Sequence, residues 1–347
     1  MKDLIIVGGG LMGAALAYHT ARLGMAVTLV ESAVIGGAGA TAHSRGIVRV
    51  YDPQPALMQW SLRGVLEWQN WSLSAGSPFV RCGIYYFVKP ANRESVLSTL
   101  EQHDHAVYPI AVMDASALPA NVRHLADANG LVLYEAGGGH VDTRLAARLF
   151  AQGARDHGAT LLEGSTVLGI GESDQQVTVR LRDGRLAARQ LVLATGAATS
   201  ALLGECGLFS RSIPLSCIEQ QATSPLQFCL IDEVTGSYAR PDGADVFYCG
   251  GATQHDALIP EHLVCDLAAS GQQNVALAQH LLAQPTLALL DTRMGYDAYT
   301  QDFLPQLGAC EPYRRVCMAT GFSGRGAKYI PAVASELALD LVQRKGC

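Results

Sequence analysis

Lysine is scarce in this chain of 347 residues. Only four of its 25 basic residues are lysines, at positions 2, 89, 328 and 345. The 31 acidic residues give a formal net charge of −6, and no run of five like charges occurs. Proteins that bind nucleic acid normally carry a basic patch, so we expect no nucleic-acid partner. The scarcity also makes any lysine inside a motif a candidate for a specific role.

Cysteine pairs with metal or redox spacing are absent. The nine cysteines are odd in number, and no two are separated as in CxxC. A chain of this length does not need disulfides for stability, so we expect reduced thiols in the core. His103-Asp104-His105 is the one fragment that resembles a metal ligand set, and its polar setting is more typical of a solvated loop. We therefore expect no metal site.

Long apolar runs are also missing. No window of about 18 apolar residues is free of glycine, histidine and charge, so no membrane span is predicted. The apolar stretch that follows Met1 is interrupted by glycines at 8, 9, 10 and 13. A signal peptide does not explain these glycines, and we expect a cytoplasmic protein.

The composition that is present is that of a globular protein. Apolar residues make up 49% and charged residues 16% of the chain. The length exceeds the roughly 250–300 residues that one hydrophobic core usually serves. The sequence therefore predicts two lobes.

A glycine-rich turn follows the first predicted strand. Residues 4–7 form a continuous apolar run typical of a strand buried on both faces. Gly8, Gly10 and Gly13 follow in GxGxxG spacing, with Leu11 and Met12 at the start of a predicted helix. In such a unit the glycines permit a tight turn, close approach of the backbone to a pyrophosphate, and close helix–strand packing. The pyrophosphate then lies on the helix N-terminus, which favours an anion.

A second buried strand and an acidic residue complete this unit. Residues 26–30 form the strand, and Glu31 and Ser32 follow it. A carboxylate at this position accepts hydrogen bonds from the adenosine ribose and repels a 2′-phosphate, which argues against NADP. The residues thus predict a Rossmann-type dinucleotide site, with NAD and FAD both open.

Further along the chain, residues 144–157 form a predicted helix with Asp142 or Thr143 as its N-cap. Two strands that flank Asp183-Gly184 predict a hairpin. A buried strand then ends in a turn of small residues, 194–196. Near the C-terminus a second glycine-rich turn, 321–328, joins a strand to a helix at 333–344, and its N–H groups would lie near a charged or electron-rich ring.

These segments, in this order, resemble the D-amino-acid-oxidase-like superfamily of FAD-dependent amine oxidoreductases, in its sarcosine oxidase and glycine oxidase branch. The matching segments are residues 8–31, 39–45, 140–142, 194–196 and 321–328. The GFSGxGxK pattern at 321–328 is the most diagnostic of them, and it implies FAD rather than NAD.

The resemblance implies an α/β fold with two domains. A Rossmann-type FAD-binding domain would be assembled from residues 1–76, 136–212 and 291–347. A discontinuous substrate-binding domain, 77–135 and 213–290, would be an α+β lobe built on a mixed β-sheet that covers the flavin.

The resemblance also implies the residues that bind the cofactor. His43 to Arg45 and the turn 324–326 would bracket the isoalloxazine ring, and Val167 would lie at the adenine. Relatives that hold FAD covalently use a cysteine, but Gly295 falls at that position, so we expect non-covalent FAD. The full set of predicted cofactor residues is Gly8, Gly10, Leu11, Met12, Gly13, Glu31, Ser32, Ala42, His43, Ser44, Arg45, Val167, Ala194, Thr195, Gly196, Gly324, Arg325, Gly326, Ala327 and Lys328.

For the substrate, Arg49 and Lys328 match the positions at which sarcosine-type relatives bind a carboxylate. Arg240 and Tyr248, together with Tyr238, fall on strands that line the family's pocket. The implied reaction is hydride transfer from the α-carbon of an amino acid or N-alkyl amino acid to flavin N5. The resulting imine would hydrolyse, and O₂ would be reduced to H₂O₂.

Several alternatives stay open. Residues 246–251 lack the lysine that this branch uses above the flavin to promote oxygen reduction, which favours a dehydrogenase with another acceptor. Oxidation of 2-hydroxy acids fits the same site. The chain could also be a flavin-bearing subunit or maturation partner in a larger complex, or form a homo-oligomer.

Overall fold

The computed structural model of the protein describes residues 1–74 and 76–345. The helices are α1 Leu11–Arg22, α2 Gly39–His43, α3 Pro55–Gln69, α4 Arg93–Glu101, α5 Thr143–Asp156, α6 Thr199–Leu203, α7 Leu267–Leu282 and α8 Ile330–Lys345. The strands are β1 Lys2–Val7, β2 Val27–Val30, β3 Ile47–Val48, β4 Phe79–Arg81, β5 Ile84–Val88, β6 Ala111–Val112, β7 Leu131–Glu135, β8 Gly139–Val141, β9 Thr160–Leu162, β10 Val167–Glu172, β11 Val177–Leu181, β12 Gly184–Leu193, β13 Phe209–Glu219, β14 Cys229–Asp232, β15 Ser237–Asp242, β16 Val246–Gly250, β17 Asp256–Ala257, β18 Leu289–Tyr299, β19 Gln306–Ala309 and β20 Val316–Thr320.

The first sheet contains the predicted βαβ unit. β1 pairs in parallel with β2 and β12, β2 pairs in parallel with β9, and β12 pairs in parallel with β20. Leu4 and Ile6 are fully buried, as expected for a parallel strand covered on both faces. α1 packs against α5 and α8, and its alanines allow the close approach. The mixed α/β fold and the strand–turn–helix–strand start are confirmed.

The hairpin predicted around Asp183-Gly184 joins β11 to β12, with Leu181 opposite Gly184. β12 begins two residues earlier than the sequence pattern indicates and is long. Its first half pairs with β11, while its second half lies between β1 and β20. One strand therefore connects the hairpin to the parallel part of the sheet and ends beside the glycine-rich turn.

The second sheet is large and mixed. Its strands run in the order β17-β13-β16-β15-β14-β5-β7-β6, and β18 pairs with the other edge of β13. β14 and β5 are parallel, while the other neighbours are antiparallel. The domain boundaries predicted at 212/213 and 290/291 fall inside β13 and β18, and the division into two domains stays a prediction.

A third, small sheet consists of β3, β8 and β4. Ile47 pairs with His140, and this pairing fixes the start of the segment that carries Arg49. None of the helices in the described part of the chain is both long and apolar enough to cross a bilayer.

Candidate functional site

A cavity of about 840 Å³ opens at the carboxyl ends of the parallel strands. Ligands of open α/β sheets bind in this position because the loops that follow the strands converge there. The second sheet supplies the opposite wall through Ile213, Leu215, Ile231 and Tyr238. The cavity is therefore enclosed by residues from both sheets.

The glycine-rich turn leaves no room for side chains. Gly8 has φ +104°, and a Cβ there would lie 2.5 Å from the carbonyl oxygen of Ala194. A Cβ on Gly13 would lie 1.8 Å from the carbonyl oxygen of Gly8, so α1 packs directly on the turn. Gly10 caps α1 without a side-chain hydrogen bond, and the first turn contains no acidic residue. The positive end of the helix dipole thus faces a cavity that accepts an anion.

Glu31 lies on the cavity wall at the end of β2 and is 8% exposed. Its carboxylate accepts hydrogen bonds from Gly9 N at 2.6 Å, Ala33 N at 2.8 Å and Ser32 Oγ at 3.0 Å. A carboxylate has about four acceptor positions, so these donors leave capacity for a ribose hydroxyl. These contacts fix the orientation of the Glu31 carboxylate.

Most of the residues predicted to bind the cofactor line this one cavity. Gly13 and Ala42 do not: Gly13 acts through helix packing, and Ala42 lines a smaller neighbouring cavity. The predicted residues that line the large cavity are Gly8, Gly10, Leu11, Met12, Glu31, Ser32, His43, Ser44, Arg45, Val167, Ala194, Thr195, Gly196, Gly324, Arg325, Gly326, Ala327 and Lys328.

Gly295 lies on the cavity wall against His43. A Cβ at Gly295 would lie 2.8 Å from His43 Cβ, so a larger residue would displace the histidine. None of the cysteines in the described residues lines the large cavity, and those described are free thiols. The cavity therefore presents no thiol to a bound flavin.

Asp297 also lines the cavity and was not singled out from the sequence. It accepts hydrogen bonds from Gly324 N at 2.9 Å and Ala298 N at 2.7 Å. Burial nevertheless raises the pKa of Asp297 to about 6. The carboxyl group ties β18 to the second glycine-rich turn. The sequence signal that could have indicated Asp297 was its position two residues after Gly295.

Arg49 lines the cavity beside aromatic rings. Its guanidinium carbon lies 4.8 Å from the centroid of Tyr86 and 5.8 Å from that of Tyr51. Nη1 of Arg49 is buried and has no hydrogen-bond partner among the described residues. A buried donor without a partner costs about 1–3 kcal/mol, which a ligand acceptor would recover.

Lys328 is bound on one side by an acidic residue that the sequence analysis missed. Its Nζ donates to Asp52 Oδ2 at 2.6 Å and to Tyr51 O at 3.4 Å. Asp52 is fully buried and also accepts from Arg325 Nη1 at 3.1 Å. An ammonium group has three N–H donors, so one remains for the cavity that Lys328 lines.

Tyr248, which the resemblance places in the substrate wall, lines a different cavity from Arg49 and Lys328. Tyr248 lies outside the large cavity and lines the smaller one, where its ring packs 4.5 Å from the Arg45 guanidinium carbon. Tyr238 lines the large cavity instead. Tyr238 in β15 and Tyr248 in β16 lie on the same face of the sheet. Tyr248 is opposite Arg240, two residues further along β15 than Tyr238.

Arg240 likewise lies outside the lining of the large cavity and is 3% exposed. Its Nη1 donates to His140 Nδ1 at 2.7 Å and lies 3.0 Å from Asp242 Oδ1. The small sheet brings His140 against Arg240. Burial and the Arg240 charge lower the pKa of His140 to about 3, so its imidazole is neutral.

The smaller cavity, about 210 Å³, shares His43, Arg45 and Leu215 with the large one. Arg144 and Arg293 also line it. Burial, followed by the positive charges of Arg45, Arg144 and Arg293, lowers the pKa of His43. A neutral imidazole with basic neighbours thus separates the two cavities.

A family model described as DAO, FAD dependent oxidoreductase, matches residues 3–339. N-methyl-L-tryptophan oxidase of Salmonella arizonae is 22% identical over 368 residues, covering 99% of this chain and 95% of that protein. L-proline dehydrogenase of P. horikoshii superposes with a TM-score of 0.88 at 21% identity, covering 99% of this chain and 93% of that one. Glycine oxidase of Bacillus cereus ATCC 14579 gives a TM-score of 0.82 at 19% identity, covering 99% and 96%. At these identities the solved structures support the fold alone.

Proposed function

The chain belongs to the DAO family of FAD-dependent oxidoreductases, whose model matches nearly its whole length, and on that premise we propose that it oxidises an amino acid or an N-alkyl amino acid. The observation that carries the proposal is the donor pair at the cavity, Arg49 and Lys328. Each has an N–H without a protein partner among the described residues, and both line the same cavity. N-methyl-L-tryptophan oxidase and glycine oxidase are among the relatives of this chain, and their names point to the same substrate class.

The residues present fit FAD, and we assign each part of the cofactor to a part of the cavity. The pyrophosphate would lie on the N-terminus of α1, where the glycine turn exposes backbone N–H groups. Glu31 would bind the ribose, and Val167 would lie at the adenine. The turn 324–326 and the segment 43–45 would hold the ring system without a covalent bond.

The substrate carboxylate would bind between Arg49 and Lys328. Charge-assisted hydrogen bonds of this kind are shorter and stronger than neutral ones, and a planar guanidinium can bind a carboxylate with two N–H groups. The rings of Tyr51 and Tyr86 restrict the guanidinium because they pack against it. These contacts orient the α-carbon, which contributes to rate by fixing the reacting geometry.

FAD, when bound, supplies the chemistry by accepting hydride from the substrate α-carbon. The residues of the chain need only bind the amine form and hold it in place. The imine that leaves the site would hydrolyse in water to an oxo acid and an amine or ammonia.

We propose O₂ as the electron acceptor, with H₂O₂ as the product. A dehydrogenase is the second candidate, because Lys89 and Lys328 are the lysines on the cavity wall and β16 carries none. The similar P. horikoshii protein is named L-proline dehydrogenase, which supports this candidate. A cytoplasmic location, and a homo-oligomer or partner subunit, stay predictions.

The test is anaerobic reduction of the purified flavoprotein by amino acids, N-methyl amino acids and 2-hydroxy acids, followed by readmission of air. Loss of the visible flavin absorbance with an amino acid and fast recovery in air would support an oxidase. Slow recovery would favour the dehydrogenase. Arg49→Lys should weaken substrate binding by roughly 10-fold or more because bidentate binding is lost, whereas the exposed Arg63→Lys should not. No reduction by any carboxylate compound would overturn the proposal.

A further inference from the structure

A second carboxylate lies on the wall of the large cavity, on the substrate side. Glu233 follows β14 and accepts hydrogen bonds from Tyr86 Oη at 2.6 Å, Asn92 Nδ2 at 3.0 Å and Lys89 N at 3.2 Å. The donors come from β5 and the turn after it, a segment about 140 residues earlier in the chain. Tyr86, Asn92 and Lys89 line the cavity together with Glu233.

Glu233 has no ion-pair partner within the described ranges 1–74 and 76–345. Lys89 contributes its backbone N–H, and its side chain is exposed. Three donors occupy three of the roughly four acceptor positions of the carboxylate. The remaining position, on a half-buried anion, has a strong preference for a cationic donor.

Glu233 is linked to the carboxylate-binding arginine by one aromatic ring. The Arg49 guanidinium lies over the face of Tyr86, and the hydroxyl of the same ring donates to Glu233. The cavity thus has a positive group over the face of the Tyr86 ring and a negative group at its hydroxyl. A ligand that bridges the two needs an anionic end and a cationic end at a matching distance.

We propose that Glu233 binds a cationic group on the substrate side chain, so that the preferred substrates are amino acids with a distal amino group. The inference rests on the proposed function, because it takes the carboxylate to be bound at Arg49 and Lys328. The substrate's own α-amine reacts in its uncharged form and therefore offers Glu233 no cation. The distal ammonium of a side chain of three or four methylenes offers one.

The experiment compares pairs of amino acids of equal chain length. Ornithine is paired with norleucine, and lysine with 2-aminoheptanoate, as both enantiomers. Anaerobic flavin reduction gives the second-order rate constant for each member. We expect the wild-type protein to prefer the cationic member by roughly 10-fold or more, the range of one charged hydrogen bond.

Glu233→Gln should reduce that ratio to near one, because the amide keeps the shape and loses the charge. Tyr86→Phe keeps the ring beneath Arg49 and removes one hydroxyl that positions Glu233, so it should lower the ratio partially. If Glu233→Gln folds poorly, Tyr86→Phe provides the test in its place. Glu219→Gln, at an exposed carboxylate of β13 outside both cavities, is the matched control and should leave the ratio unchanged.

A wild-type ratio near one, with reduction by neutral amino acids, would overturn this inference and leave the proposed function standing. Equal losses for both members of a pair in Glu233→Gln would also overturn it, since they would assign Glu233 to holding the segment at Asn92. No reduction by any amino acid would overturn the proposed function and this inference with it.

Discussion

Lys328 and Asp52 form a buried ion pair, with Nζ 2.6 Å from Oδ2 and side chains 3% and 0% exposed. Arg325 contacts the same carboxylate at 3.1 Å. Burying two opposite charges is tolerated because each satisfies the other, and removing one leaves the other without a partner. Asp52 therefore offsets part of the positive charge that the cavity collects at Arg49, Lys328 and Arg325.

Asp52→Asn should lower the free energy of unfolding by roughly 3–5 kcal/mol, because the buried Lys328 and the half-buried Arg325 lose their counter-charge. Urea unfolding followed by far-ultraviolet circular dichroism measures the change. The control is Glu336→Gln, which removes an ion pair to Arg63 whose side chains are about half exposed. Exposed pairs contribute less than about 1 kcal/mol. Equal losses in the two variants would contradict a structural role for the Asp52 pair.

Binding of a carboxylate should weaken as the pH rises through about 7. Burial and the nearby Arg49 charge lower the pKa of Lys328 to about 7, so its attractive charge is present below that pH and lost above it. A simple carboxylate without an amine, titrated against the flavin spectrum from about pH 5.5 to about pH 9, isolates this group. The transition should be missing in Lys328→Met. An unchanged pH profile in that variant would assign the transition elsewhere.

Gly13→Ala should lower retention of the flavin several-fold. The added Cβ would lie 1.8 Å from the Gly8 carbonyl oxygen, and both the turn and α1 would have to move. The ratio of visible flavin absorbance to protein after gel filtration measures the effect, which should be a several-fold loss. Gly76→Ala is the matched control, because its Cβ would meet nothing within 4 Å. Full flavin content in Gly13→Ala would refute the close-packed turn.

Acid should destabilise the protein partly through His140. Its pKa falls from 6.5 to about 3 on folding, so between these values the unfolded chain binds a proton that the folded protein does not. The free energy of unfolding therefore falls as the pH decreases through this window, by about 1.4 kcal/mol per pH unit. His19, with a pKa lowered to about 4, acts in the same direction.

His140→Gln should remove about 2 kcal/mol of the loss between pH 7 and pH 5. The exposed His262→Gln should leave the pH dependence as in the wild type. Urea unfolding at both pH values gives the comparison. A His140→Gln protein with the wild-type slope would show that this imidazole is protonated in the folded state.

Local patterns were enough to predict the first βαβ unit and α5. The strand, glycine turn, helix and second strand lie within 31 consecutive residues, and Asp142 caps α5 by accepting from Leu145 N at 2.9 Å. Each of these features depends on neighbours in sequence, so the sequence carries the signal directly. The hairpin at Asp183 was predictable for the same reason.

The polar contacts of the site were not predictable in this way. Lys328 and Asp52 are separated by 276 positions, and Tyr86 and Glu233 by 147. Their meeting depends on the pairing of β5 with β14 and on the packing of the small sheet, which no periodicity encodes. Arg240 shows the limit of a strand-level prediction: its strand reaches the cavity at Tyr238, and His140 contacts Arg240 two residues further on.

β13 and β18 pair along almost their whole length, from Phe209 opposite Tyr299 to Ile218 opposite Leu289. One end of this ribbon carries Asp297 and Gly295 on the cavity wall, and at its other end β13 pairs with β16 within the large mixed sheet. A ladder of backbone hydrogen bonds resists bending, so the residues at the cavity end of the ribbon keep their positions relative to the rest of the mixed sheet.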